Sequence, residues 1–261
     1  MSTTPITFHP SKIVRSLVAT TRKLTTIAMP VFAFSLLFAA MTLSAAAQRQ
    51  RRTTQTMPAR GDMRLELRNR MGSITIEAWD RDSVQIIADR DNPPAQISPE
   101  MNGNTLVINL RTSQNAAAGD VNFQIRVPVG TMIDVETVRG DITVRGVRSA
   151  LVRAEVTTEG DVQLTGIRAA TVMAKNVMGL IVFEGELIPG GNYHFMSMSG
   201  QMHLRIPPDS GFSLTALTRN IDLGSFARHF STRGHRVEGS VGNGAASLYI
   251  TNNSGSISFM R

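Results

Sequence analysis

Residues 62–261 predict an all-β fold: a parallel β-solenoid, β-helix-like, with rungs of about 20 residues and a partly antiparallel N-terminal end. Three observations predict it. Helical periodicity is almost absent after Gly61, apolar and polar residues alternate along most segments, and a glycine-led cassette recurs at near-constant spacing. A period of two marks strands with one buried face. A repeat near 20 residues marks stacked rungs.

The N-terminus comes first in chain order. Residues 1–47 contain no Asp or Glu and four basic residues, Lys12, Arg15, Arg22 and Lys23. An apolar run from Ile27 to Leu43 follows, interrupted by Pro30, Ser35 and Thr42, and ends in Ser44-Ala45-Ala46-Ala47. This is the basic region, apolar region and small-residue cleavage site of a secretory signal peptide. The run approaches spanning length, so a retained anchor is the rival. Pro30 and the alanine end favour cleavage before Gln48, which leaves no transmembrane segment. The chain has no Cys, which excludes both a lipidated N-terminal cysteine and disulfides.

Gln48 to Gly61, with Arg49, Arg51 and Arg52, reads as a polar basic linker. The chain carries +7 at pH 7; with four of those charges in residues 1–47, the remainder carries +3. No nucleic-acid motif accompanies the high pI, so no nucleic-acid partner is expected. About 200 residues remain, enough for one domain with a sizeable core.

Within 62–128 the alternation is direct. Leu65 and Leu67 alternate with Arg64, Glu66 and Arg68, and Val121, Phe123, Ile125 and Val127 with Asn122, Gln124 and Arg126. Asn102-Gly103, between Gln96–Met101 and Thr105–Leu110, predicts a two-residue hairpin, because both residue types tolerate positive φ.

The middle repeats. Gly140 leads to Ile142 and Val144, Gly160 to Val162 and Leu164, Gly179 to Ile181 and Phe183, and Gly200 to Met202 and Leu204, at spacings of 20, 19 and 21. The cassette also stands alone at Gly72 and Gly255. Each glycine is expected to turn a corner where a Cβ does not fit. Ile142, Val162, Ile181 and Met202 should then stack inward, with Thr143, Gln163, Val182 and His203 outward. A shift of 79 residues places Val127-Pro128 on Ile206-Pro207 and Ile142 on Ile221, and breaks where Gly140-Asp141 becomes Arg219-Asn220. That corner needs either a left-handed Asn220 or a different build.

The export segment, the polar linker, the "VPVG" and "IPPDSGF" strand starts, the "GDITV"-like cassettes and the closing "SLYITNNSGSISF" resemble the bacterial putative-adhesin family. That family is a domain of unknown function of β-solenoid type, and the resemblance covers residues 62–261. It implies an envelope or surface location and no established activity. No catalytic residues carry over.

Several constellations invite a chemical reading. Arg-Gly-Asp occurs at Arg60-Gly61-Asp62 and Arg139-Gly140-Asp141, where Gly-Asp is more simply a rung corner. Asp141 and Asp161 occupy equivalent places on adjacent rungs, but the dense nonapeptide of Ca²⁺-binding solenoids is absent, so each Asp is expected to cap its own turn. His194, Met196, Met198, Met202 and His203 cluster near Met173 and Met178 as soft ligands for Cu(I). Met202 falls on a core position, however, and His203 has the opposite parity. No metal and no cofactor are expected.

Phe226, Arg228, His229, Phe230, Arg233, His235 and Arg236 lie where the strand pattern breaks. They read as a long cationic, aromatic loop, the candidate site for a glycan or an envelope lipid. No nucleophile and base can be paired among His194, His203, His229 and His235. The sequence therefore predicts an exported, non-enzymatic protein of the periplasm, outer envelope or cell surface, acting in adhesion, scaffolding or binding. A carbohydrate-active β-helix enzyme and a self-assembling envelope protein are the alternatives.

Overall fold

Wherever apolar and polar residues alternate, the chain forms a strand that buries one row of side chains. The computed structural model describes residues 52–90, 96–111 and 120–260. The signal peptide expected in residues 1–47 lies outside them.

In chain order the strands are β1 (Arg52–Pro58), β2 (Arg64–Met71), β3 (Ile74–Trp79), β4 (Ser83–Arg90), β5 (Gln96–Asn102), β6 (Thr105–Arg111) and β7 (Val121–Pro128). There follow β8 (Met132–Arg139), β9 (Ile142–Arg145), β10 (Arg148–Glu159), β11 (Val162–Met178), β12 (Ile181–Glu186), β13 (Asn192–Ser199) and β14 (Gln201–Arg205). The last are β15 (Phe212–Thr218), β16 (Ile221–Asp222), β17 (Phe230–Arg233), β18 (Arg236–Val241), β19 (Ala246–Asn252) and β20 (Ser256–Met260). A 3-10 turn, Gly224–His229, separates β16 from β17.

Their pairings make a curled mixed sheet with two faces. The first face runs β5-β6-β2-β8-β10-β11-β13-β19-β15-β18-β17. The second runs β1-β4-β7-β3-β9-β11-β12-β14-β20-β16. β11 belongs to both, since its first half pairs with β12 and its second half with β13. The parallel pairing expected from the repeat holds through the middle. Antiparallel pairs close the N-terminal end, as expected, and also the C-terminal end of the first face through β18 and β17, which the repeat did not reveal.

Stacking order departs from chain order at both ends. β6 and β7 lie outside β2 and β3, although they follow them in sequence. β19 and β20 slot between β13–β14 and β15–β16.

The inward column is as the cassette dictates. Ile142, Val162, Ile181 and Met202 are fully buried and stand in register. Thr143, Gln163, Val182 and His203 are their outward, half-exposed partners. Between the faces Phe183 packs on Phe195 with ring centres 5.1 Å apart, and Tyr193 lies 6.0 Å from Phe183. Burying side chains of this size stabilises the fold by about 1.5–3 kcal/mol each.

The corner glycines form one continuous column. A Cβ on Gly160 would overlap the carbonyl oxygen of Gly140, one on Gly140 would overlap that of Gly72, and the relation repeats up to Gly255 against Gly200. Gly140 and Gly160 also hold φ of 122° and 151°, where side chains are strained. A buried polar row runs beside this column: Asn69 donates to the Val121 carbonyl at 2.9 Å and Asn252 to that of Gly200 at 3.0 Å.

Three local expectations change. Arg52–Pro58, read as linker, is β1, because it pairs antiparallel with β4 along its whole length. The hairpin turn is Gly103-Asn104 rather than Asn102-Gly103, since Asn102 pairs with Thr105 and Gly103 alone takes positive φ, at 62°. Asn220 is not left-handed, as no non-glycine residue among those described has positive φ. The corner there is shorter instead: Thr218 and Ile221 take the places that Thr137 and Ile142 hold five residues apart.

Candidate functional site

The outer surface of the first face divides into two halves, and the side chains that alternate with the core decide which is which. Over β2, β8 and β10 the outward residues are charged. Asp134, 3% exposed, is held by Arg64, by Arg68 at 3.0 Å and by Arg153 at 3.5 Å. Glu155 accepts hydrogen bonds from Lys175 Nζ at 2.6 Å and Arg153 Nη2 at 2.8 Å. Burial disfavours its charge, but the Lys175 and Arg153 hydrogen bonds outweigh burial and hold its pKa below the ordinary value. These charges satisfy one another. They are a built ionic lattice rather than a vacancy for a ligand.

Over β11, β13, β19 and β15 the outward residues turn apolar. Met173, His194 and Tyr249 stand in register, and the His194 and Tyr249 rings stack at 5.0 Å and 19°. Lys175, Met196, Thr251 and Leu217 form the next outward row. Exposures of 48% at Met178, 43% at Met196, 58% at Met198, 44% at Leu217 and 46% at Tyr249 make this an unpartnered apolar surface. Met202 is buried while His203 is half-exposed on the second face, so the expected Met/His cluster is split by parity.

A groove of about 570 Å³ borders this surface, with Met198 and Leu217 on its wall. Arg219 and His235 line it too, with the hydroxyls of Ser199 and Ser254 and the amide of Asn253. No carboxylate lines it.

Of the predicted loop only His235 lines this groove, and the segment is not a loop. It is the 3-10 turn followed by the β17–β18 hairpin. Its aromatics leave the candidate site. Phe226 is 7% exposed and meets Phe212 edge-on at 5.4 Å, and Phe230 stacks on Phe212 at 6.0 Å. The pair caps the core, because the end of a stacked sheet must cover its last apolar row. Arg228, His229, Arg233, His235 and Arg236 are exposed. Arg228 bonds to His229 at 3.1 Å, Arg236 is committed to Glu238, whose carboxyl it holds below the usual range through their hydrogen bond, and His235 reaches the groove. Sequence reasoning missed Arg219, Leu217 and Tyr249. The broken 79-residue match at Arg219 was the one available sign.

A second depression of about 420 Å³ lies where Ile206, Pro207, Pro208, Phe226 and Met260 converge. Glu184 and Glu186 stand at its edge, each tied to an arginine: Arg205 at 3.2 Å and Arg168 at 3.3 Å.

The Asp141 and Asp161 carboxylates are engaged with backbone. Each accepts the amide N–H of the next rung, Asp161 and Leu180 respectively, at 2.8 Å. The expectation that each caps its own turn is corrected: they staple neighbouring rungs.

Residues 109–259 match the Toastrack DUF4097 family. The chain belongs to that family. The resemblance read from the glycine cassettes is thereby borne out for this stretch, and β1–β5 of the Toastrack chain lie outside the match. No curated protein matches it. Among solved structures, a "putative cell adhesion protein" of Clostridium sporogenes shares 12% identity over 80% of this chain and 98% of that one, with a TM-score of 0.46. A "putative adhesin" of Bacteroides fragilis shares 12% over 80% and 97%, with a TM-score of 0.40. One of Parabacteroides merdae shares 9% over 81% and 97%, with a TM-score of 0.37. These likenesses are weak, and the strand pairings above stand without them.

Proposed function

We propose that this Toastrack protein is an exported, non-enzymatic binding module of the periplasm, outer envelope or cell surface. The stacked rungs serve as a rigid scaffold that presents the outer face of β11, β13, β19 and β15. One observation carries the reading: five large apolar side chains, Met178, Met196, Met198, Leu217 and Tyr249, stand exposed together on that face. Leaving such a patch in water is costly unless a partner covers it. The test is a binding screen of envelope glycans and envelope lipids, run in parallel on wild type and on Met198→Asp. Binding that the substitution removes supports the reading; equal binding by both forms refutes this face as the site.

The carbohydrate-active alternative has one observation in its favour, the Glu184 and Glu186 carboxylates beside the second depression. Their arginine partners fit a structural role better. Polysaccharide cleavage that Glu184→Gln abolishes would reverse that preference. End-to-end self-assembly is disfavoured by the ends themselves. β5 carries Pro99, β1 ends in Pro58 and β16 is only Ile221–Asp222, and such features blunt sheet edges.

A further inference from the structure

We infer that the ligand of this face is an anionic lipid surface, with Arg219 and Arg233 taking lipid phosphates and Met198, Leu217 and Tyr249 entering the acyl boundary beneath them. The inference rests on the binding-module reading and names its partner.

Three features converge on this occupant. Charge is the first. Arg219 and Arg233 form no salt bridge among the described residues, although Arg233 helps hold the Glu238 carboxyl down through space, and no acid lines the groove that Arg219 and His235 share. Glu238, the nearest acid on the hairpin, is already held by Arg236. The rim calls for anionic groups on its partner, and the apolar row beside it calls for hydrocarbon at the same surface. Phosphates supply the complement.

Layering is the second. Leu217 pairs across the sheet with Arg236, and Arg219 follows it by two residues, so the cationic rim borders the apolar row directly. A lipid surface has the same order, anionic groups above hydrocarbon. The hydroxyls of Ser199 and Ser254 and the amide of Asn253 add neutral donors beside Arg219.

Side-chain type is the third. Methionine is flexible and polarisable, and it fits irregular apolar contacts. Tyrosine has an apolar ring and a wet hydroxyl, and it concentrates where hydrocarbon meets head groups. Strands lie about 4.8 Å apart, so Met196, Thr251 and Leu217 span about 10 Å of contact in one row. That is a surface to lie on a bilayer, not a pocket to enclose one molecule.

Methionine oxidation reads this face directly. The full chain is treated with peroxide alone, with phosphatidylglycerol vesicles, with phosphatidylcholine vesicles or with inorganic phosphate, and oxidation is followed by mass spectrometry. Met29 and Met41 report any insertion of the N-terminal apolar run. Met101, 42% exposed on β5, reports non-specific shielding. Phosphatidylglycerol vesicles should slow oxidation of Met178, Met196 and Met198 at least fivefold and leave Met101 unchanged. Arg219→Glu with Arg233→Glu should abolish that protection, since each arginine contributes about fivefold near an anionic surface. If the double variant melts early, Arg219→Gln with Arg233→Gln is used with the same readout. Equal protection by phosphatidylcholine, protection by phosphate alone, or protection that survives the arginine changes overturns the lipid inference. If vesicles protect nothing while an envelope glycan binds and Met198→Asp removes that binding, the lipid inference falls and the binding-module reading stands. If no screened ligand binds, both fall.

Discussion

Asp141 Oδ1 accepts the backbone N–H of Asp161 at 2.8 Å, and Asp161 repeats the contact one rung on with Leu180. Two carboxylates that could have been a metal or acid–base pair are therefore connectors. Asp161→Ala should cost about 1 kcal/mol in urea denaturation, the net worth of one such hydrogen bond. Asp161→Asn, which keeps the accepting oxygen, should cost less than about 0.5 kcal/mol. Added Ca²⁺ or EDTA should leave the melting temperature unchanged, and a gain of several degrees with Ca²⁺ would reveal a native-state metal site.

The inward and outward columns predict opposite responses to the same substitution. Val162→Asp buries a carboxylate at a fully covered position and should cost at least several kcal/mol, comparable with a domain's whole stability. Gln163→Asp, one residue on and outward, should stay within about 0.5–1 kcal/mol. Urea titration of both variants decides it, and equal damage would contradict the register.

Acid should loosen the ionic half of the first face. The folded pKa of Glu155 is lowered, so its contribution is present above the unfolded carboxylate value of about 4.3 and is lost as pH falls through the folded value below it. Glu155→Gln should therefore flatten the stability–pH curve below about pH 4.5. Urea midpoints from pH 7 down to pH 3 provide the test; parallel curves for the two proteins would remove Glu155 as a contributor.

The aromatic cap and its cationic rim should separate in the same way. Phe226→Ala removes a buried ring that meets Phe212 and Phe259, and should cost about 3 kcal/mol. Arg228→Ala, at an exposed position, should change stability by less than about 0.5 kcal/mol. Thermal melts of the two variants check this, and similar shifts would mean that the turn is not a cap.

Export is tested by N-terminal sequencing of the protein from an expressing bacterium. The mature chain should begin at Gln48. A chain that still begins near Met1 and fractionates with the inner membrane would establish the retained anchor.

The inward residues were legible because burial enforces a strict period of two, so Ile142, Val162, Ile181 and Met202 announce themselves. The glycine corners were legible because close approach of Gly160 to Gly140 tolerates no other residue. Strand neighbours were not. Parallel stacking places no local mark on the chain, and nothing in β19 says that it lies beside β13 rather than outside β15. The proposed binding face was illegible for a related reason. Tyr249, Leu217 and Arg219 are far apart in sequence and meet only through that pairing. The cationic loop was visible, but its two phenylalanines looked like ligand contacts because a capping role appears only when Phe212 and Phe259 are placed beneath them.

The insertion of β19 and β20 between earlier rungs makes the last part of the chain a keystone. Residues synthesised after all of these neighbours complete the wall from within, so assembly cannot proceed rung by rung from one end to the other. A chain truncated before Ala246 would not be one rung shorter. It would carry a slit, with the edges of β13 and β14 on one side and β15 and β16 on the other, both open to pairing with a second incomplete copy. Premature termination near the C-terminus should thus yield aggregates rather than a smaller soluble protein.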